Sequence, residues 1–381
     1  MSPSISLEAE EMYRFSVSQP VRLVGQYQHA LGAGCITIAI DLRVGLAVQE
    51  QPAGFELRLA GGAFQQQELL PDYAERWRRA LDAEVLDEPA AVEGLAVEVD
   101  FRRLGDFCPG EVLLTSPALA AGLAAAAAAH RGRGAVATDV EVADRAAEAL
   151  AAVTGEVRGQ RFFPDILLSV AGGAAYVEPT GERINVQQPL PPESFLLALA
   201  PGMEFSNGVA ECEEQLRRAL LKVAEASGEL VGERAMEAVF GLNGDVLEED
   251  DTTKLYGLVR VRQMLDGFLE HLGEPYVDND RLAEICDEER ALLRDYFEFN
   301  ADTYGEMCRR AEEAGALGAA CTWAFGSYPA VVITAPGRRK QVQGALQDQF
   351  SDAIFHPIDI EPTGLLRGRD EAQGPDVGPP R

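Results

Sequence analysis

The chain has 381 residues, and 33 basic against 62 acidic side chains give a formal charge of −29 and a pI near 4.5. At about 100–200 residues per domain this length predicts two domains, or three, and a hydrophobic share of 47% supplies their cores. The acidity repels partners held by their phosphates, which argues against nucleic acid, and no apolar run nears the ~20 residues that span a bilayer.

The first hundred residues read mostly as strands. Val21–Gly25, Ile36–Asp41 and Arg43–Gln49 are β-branched or alternating runs, and Phe55–Ala60 repeats the pattern after a Pro-Ala-Gly turn. An amphipathic helix follows at Tyr73–Val85, then a short strand at Val97–Phe101. Ala120–Ala129, introduced by Thr115-Ser116-Pro117 and Gly122, reads as a loop running into a helix, and Asp139–Val153 as a second helix. After the apolar run Ile166–Gly173, Ala174–Glu178 and Arg183–Val186 form a strand pair turned by Pro179-Thr180-Gly181, and the Pro189–Pro192 cluster is the best linker.

Phe195–Leu199 is a fully apolar strand, followed by helices at Val209–Ala226, Thr253–Leu272, Asp280–Phe297 and Ala301–Ala314. A strand at Ala330–Thr334, a helix at Arg339–Ser351 and an apolar run at Ile354–Ile360 come next. Pro362–Arg381 is rich in Gly, Pro and Asp and reads as a disordered tail. Strands alternating with helices predict an α/β or α+β protein in two lobes.

The six cysteines are scattered with no C-x-x-C pair, and the four histidines are equally dispersed. Those spacings give neither a zinc site nor a disulfide framework, and the acidic N-terminus has no basic-then-apolar order, so the expectation is a cytoplasmic protein with buried thiols. Only three basic residues are lysines: Lys222, Lys254 and Lys340. Abundant Ala, Arg and Gly point to a GC-rich genome, while acid with little lysine also suits a salt-adapted cell.

Three segments, in order, resemble the signature motifs of the GHMP kinase superfamily, and of galactokinases within it. Gln19-Pro20-Val21-Arg22-Leu23-Val24-Gly25-Gln26-Tyr27-Gln28-His29, continuing to Ile38-Ala39-Ile40-Asp41, registers without a gap on A-P-G-R-V-N-L-I-G-E-H-T-D-Y and the A-I-D run behind it. Ala118–Ala128 resembles P-L-G-A-G-L-S-S-S-A-A through Gly122-Leu123, and Gly318–Ile333 resembles G-A-x-x-T-G-A-G-F-G-G-C through Gly318, Ala319, Thr322 and Ala324. Pro164–Gly172 is similar to M-D-Q-F-A-S-L-F-G, and Leu293–Glu298 to L-R-D-D-Y-E. The resemblance implies an α+β, two-lobed GHMP kinase fold. A ribosomal-S5-like N-terminal lobe would cover 1–192, a ferredoxin-like C-terminal lobe 193–361, and a disordered tail 362–381.

By the same resemblance, the activity would be transfer of the γ-phosphoryl of ATP to a sugar hydroxyl, with Mg²⁺. That chemistry asks for positioning and charge stabilisation. Asp165 falls on the family's catalytic Asp. The family's Arg position is Pro20, and Arg22, two residues on, returns to the same face of a strand as a compensating cation. Gly122, Leu123, Ala124, Ala125 and Ala126 fall on the phosphate loop, where alanines replace its serines. Glu148 would be the acidic Mg²⁺ ligand. Gln26, Tyr27, His29 and Thr322 fall on sugar-binding positions, without the family's carboxylates.

Bland readings stand beside these. Asp165 would be a helix N-cap after Pro164, Gly122 a close-packed helix start and His29 a surface or satisfied histidine. Trp323, Phe325 and Tyr328 would fill the cleft as core, or form an aromatic platform. Glu249-Asp250-Asp251 would be a solvated acidic loop. Losses clustered at site positions, with the framework kept, also suit a pseudokinase that senses a ligand or binds a protein partner. An active enzyme would take a small-molecule sugar and a nucleotide.

Overall fold

Tyr13–Val24 (β1) and Cys35–Glu50 (β2) pair antiparallel as the spine of a large sheet. The computed structural model describes residues 13–28, 33–60, 70–85, 87, 92–101, 113–130, 138–155, 161–178, 180–186, 190–199, 208–227, 247–270, 279–297, 302–321 and 330–369. His29, Thr322, Trp323, Phe325 and Tyr328 therefore lie outside the described residues.

β1 holds a proline that a central strand ought not to tolerate. Pro20 faces Ala39, but the Ala39 N–H donates to Gly173 O (2.8 Å) and its carbonyl accepts the N–H of Glu361 (2.9 Å). The pair is thus a non-hydrogen-bonded one, and no ladder bond misses the proline. Phe55–Leu59 (β3) lies parallel to Leu95–Asp100 (β4), which pairs with β2. Between them runs the helix Leu70–Ala80 (α1), continued by a single π turn at Leu81–Val85.

Pro117–His130 (α2) and Phe163–Ala171 (α4) pack on this sheet, and Asp139–Thr154 (α3) packs against both of them. α3 opens on a capping box between Thr138 and Glu141 and closes on Gly155 in the left-handed conformation. The apolar run Ile166–Gly173 is therefore mostly helix. Ala174–Val177 (β5) adds to β2, and Arg183–Asn185 (β6) to β5.

The linker cluster leads into a second sheet. Pro192 O and Glu193 O are held by Arg339, and Glu193 O also by Thr334 Oγ1 at 2.6 Å. Phe195–Leu199 (β7), Ala316–Cys321 (β8), Ala330–Thr334 (β9) and Ala353–Pro357 (β10) form four strands in the order β10-β7-β9-β8. Among the described residues five helices accompany them: Gly208–Ser227 (α5), Glu249–Leu269 (α6), Asn279–Phe297 (α7), Asp302–Glu313 (α8) and Arg339–Gln349 (α9). The acidic run Glu249-Asp250-Asp251 is the first turn of α6 rather than a loop, where negative charge suits the helix dipole. Two of the three lysines answer it, Lys222 to Asp251 at 2.6 Å and Lys254 to Asp250 at 2.5 Å.

The tail needs correction. Leu365–Arg369 (β11) is a strand that pairs antiparallel with Tyr13–Val17 and returns the chain to the first sheet. Arg43 accounts for the order, because it bonds Ser16 Oγ, Ser18 Oγ, Thr363 O and Gly364 O and pairs with Glu361. Residues 370–381 lie outside the description. The first sheet has the order β11-β1-β2-β4-β3 with the β5–β6 branch on β2, so the protein is α+β. Among the described residues no helix is long and apolar enough to cross a membrane.

Candidate active site

Arg22 and Thr37 oppose each other across β1 and β2, and both reach the first turn of α4. Arg22 Nη2 donates to Asp165 Oδ2 at 2.7 Å and Nε to Oδ1 at 3.4 Å, while Thr37 Oγ1 donates to Oδ1 at 3.2 Å. A further Arg22 bond goes to Arg161 O at 3.1 Å. Side-chain exposure is 7% for Arg22 and 18% for Asp165, so the pair is largely dry with one carboxylate edge near the surface. The N-cap of α4 is Phe162, with no side-chain cap bond. The capping reading of Asp165 thus gives way to a charge-assisted pair. Cys35 lies 3.4 Å from Thr37 Oγ1, and burial pushes its thiol up to about 11, which keeps it protonated.

Behind Arg22 the chain turns sharply. Gly25 has φ +91°, and a Cβ there would stand 2.8 Å from Cys35 Cβ. Tyr27 also takes a positive φ, 57°, and its ring stacks on Phe297 of α7 at 5.0 Å. Gln26 Nε2 folds back to Arg22 O at 3.2 Å, and Gln28 Nε2 reaches Leu258 O of α6 at 3.1 Å. Gln26, Tyr27 and Gln28 are buried. Two of the four sugar-position residues, Gln26 and Tyr27, are thereby spent on packing and backbone contacts.

Helix α2 takes in the whole Gly122–Ala126 segment. Gly122 to Ala126 are not a loop: they lie inside the helix, where their N–H groups belong to its ladder, and are buried. A Cβ on Gly122 would meet Leu46 Cδ1 at 2.5 Å and Val17 Cγ2 at 3.2 Å, so this glycine lets the helix approach the sheet. Close packing, the bland reading, describes it. The end of α2 that favours an anion is some five residues earlier, at Thr115-Ser116-Pro117-Ala118. There Ser116 Oγ accepts the N–H of Leu119 at 3.2 Å. In the sequence this segment reads as a loop leading into the helix, and the Gly-Leu match begins six residues after Ser116.

No family model and no curated protein matches the sequence. Solved structures do. Galactokinase from Lactococcus lactis, crystallised with galactose, superposes with a TM-score of 0.70 at 14% identity over 93% of this chain and 95% of its own. Mevalonate kinase from Methanococcus jannaschii gives 0.58 at 14% identity over 93% and 99%. Homoserine kinase from Cytophaga hutchinsonii gives 0.56 at 11% over 96% and 100%. The fold is that of the GHMP kinases.

In this GHMP fold the sequence motifs bring Arg22 and Asp165 together and bury Gly122 against the sheet. Glu148 is half-buried on α3, the helix packed against α4, and among the described residues no three His, Cys, Asp or Glu side chains gather as a metal site. Mg²⁺ carried by a nucleotide asks for less, one or two carboxylates beside the phosphate oxygens. Glu148 is a carboxylate of the chemical kind such an ion takes, on a helix packed against the one that carries Asp165. Sequence reasoning missed Glu289. Its carboxylate, 3% exposed, accepts the N–H groups of Gly25 and Gln26, both at 2.8 Å. Burial pushes it up to about 7, against the pull of those two donors and of Arg22. Nothing in the sequence marked it, because its partners lie more than 260 residues away.

Proposed function

We propose that the chain is a divergent galactokinase-like phosphotransferase that moves a phosphoryl group from ATP to a hydroxyl of a small molecule. The observation that carries this reading is the Arg22–Asp165–Thr37 constellation at the start of α4, within a GHMP fold. Asp165 would orient the acceptor hydroxyl and take its proton. Arg22 would hold that carboxylate in place and add positive charge beside the transferring group. Bound ATP would supply the phosphoryl group and Mg²⁺ would neutralise its charge, with Thr115 and Ser116 at the phosphates and Glu148 at the metal. The buried Gln26 and Tyr27 argue for an acceptor other than galactose. In this reading the sheet bearing β1 and the sheet bearing β7 belong to the two lobes, divided near residue 192.

Calorimetric titration with ATP, with and without Mg²⁺, tests the reading. Binding that Mg²⁺ tightens supports it, and a screen of hydroxyl acceptors follows. No binding at millimolar ATP overturns it.

One observation favours a second reading, a pseudokinase that senses a ligand or binds a protein. Both Asp165 oxygens already accept protein donors, so the carboxylate has a complete structural role in tying β1 and β2 to α4 without any substrate. That reading expects no turnover with any acceptor, and unchanged behaviour in Asp165→Asn beyond a loss of stability.

A further inference from the structure

Helix α7 grips the turn behind Arg22 at two points about two helical turns apart. Glu289 Oε1 accepts from Gly25 N and Gln26 N, both at 2.8 Å. Phe297 stacks on Tyr27 with the rings 5° from parallel. Gln26 then ties the turn to Arg22 O. The other end of α7 is anchored to the second sheet, where a Cβ on Gly318 of β8 would stand 2.8 Å from Ala283 Cβ. One helix therefore joins the second sheet to the strand that carries Arg22.

The two N–H groups emerge where β1 ends and its turn is buried, beyond the ladder that would have satisfied them. A carboxylate oxygen between two amides is a strong acceptor. The charged and titratable groups facing Glu289 are Arg22 from β1, Cys35 from β2 and Cys286 from its own helix. Arg22 is the sole cation of the set, and it stands between two carboxylates, bonded to Asp165 and attracted to Glu289.

We propose that Glu289 is a positioning residue, seating the Gly25–Gln26 turn on α7 and so holding Arg22 in register with Asp165. The assignment rests on the reading of Arg22 and Asp165 as the reactive pair. It makes docking of the second sheet a condition for an assembled site: where α7 withdraws, the turn loses its acceptor and Arg22 its backstop. Nucleotide or acceptor binding that shifts the two sheets would reach Arg22 through this contact.

The test uses the full chain, with hydrogen exchange at Gly25 and Gln26 and the Nε–H resonance of Arg22. Glu289→Ala should speed exchange at both amides by on the order of tenfold or more, through loss of their acceptor, and shift the Arg22 resonance. Glu289→Gln keeps an oxygen acceptor and should restore slow exchange. In the unaltered protein both amide shifts and the Arg22 resonance should titrate together near pH 7, and in Glu289→Gln they should stay flat. If Glu289→Ala fails to fold, that comparison of the native protein with Glu289→Gln decides alone. Unchanged exchange in a folded Glu289→Ala, or an Arg22 resonance indifferent to Glu289 titration, overturns the assignment. If the resonances respond as stated but ATP does not bind, the positioning role stands and the phosphotransferase reading falls.

Discussion

At the scale of single residues, a half-buried and a buried carboxylate share the surroundings of one arginine and meet different fates. Asp165 is paired outright, so Asp165→Asn replaces a charged acceptor with a neutral one against a guanidinium only 7% exposed. We expect a loss of about 2 kcal/mol in urea unfolding, and under the phosphotransferase reading a fall in turnover of about a hundredfold or more. Unchanged stability would mean that the pair is not desolvated in solution. Glu289 is pushed from 4.5 to about 7, mainly by burial. The folded chain then holds that proton more tightly than the unfolded one. Its contribution to stability is therefore complete below pH 4.5 and is lost as pH rises through 7. Over that window the loss is on the order of 3 kcal/mol. Glu289→Gln cannot ionise, so its urea midpoint should vary less across this window than that of the native chain.

At the scale of elements, helix contacts decide which residues the site can use. Gly257 on α6 is the clearest case, since a Cβ there would lie 2.3 Å from Tyr296 Cβ on α7. Gly257→Ala should gain helix propensity yet cost about 1–3 kcal/mol through forced separation of α6 and α7, read as a lower melting temperature. A stabilised variant would show that the two helices have slack. The same scale shows where the sequence was legible. β7, β9 and the helices from α5 onward stood out because apolar runs and 3.6-residue periodicity act within a few residues. Arg22 and Asp165 were legible through their motifs, and strand alternation put Arg22 on the face of Pro20. The start of α2 was not, because alanine carries no amphipathic pattern and gives no boundary. β8 was obscured by its glycine and alanines, and β11 by the Pro and Gly around it. Glu289 was hidden for a different reason: its meaning comes from a contact between distant segments.

At the scale of the whole molecule, the chain closes its first sheet with its last described strand. β11 covers the flank of β1 where Phe15 and Val17 are buried. Residues Pro362 and Gly364 wedge against Gly172 and the end of the helix carrying Asp165, so closely that a Cβ on Gly364 would lie 2.4 Å from Ser169 O. Removing residues 365–381 should uncover an edge strand and lower the melting temperature by on the order of 5 °C or more. Light scattering should show self-association, and a monomer of unchanged stability would refute this role for β11. The pairing also has a meaning in time. Ser18 finds Thr363 and Gly364 only after some 345 further residues have been made, about 20–70 s of synthesis at 5–20 residues per second. Throughout that interval the nascent β1 offers a bare edge to neighbouring ribosomes' products. A chaperone that shelters early strands would matter more to this protein's yield than to one whose sheet closes as it emerges.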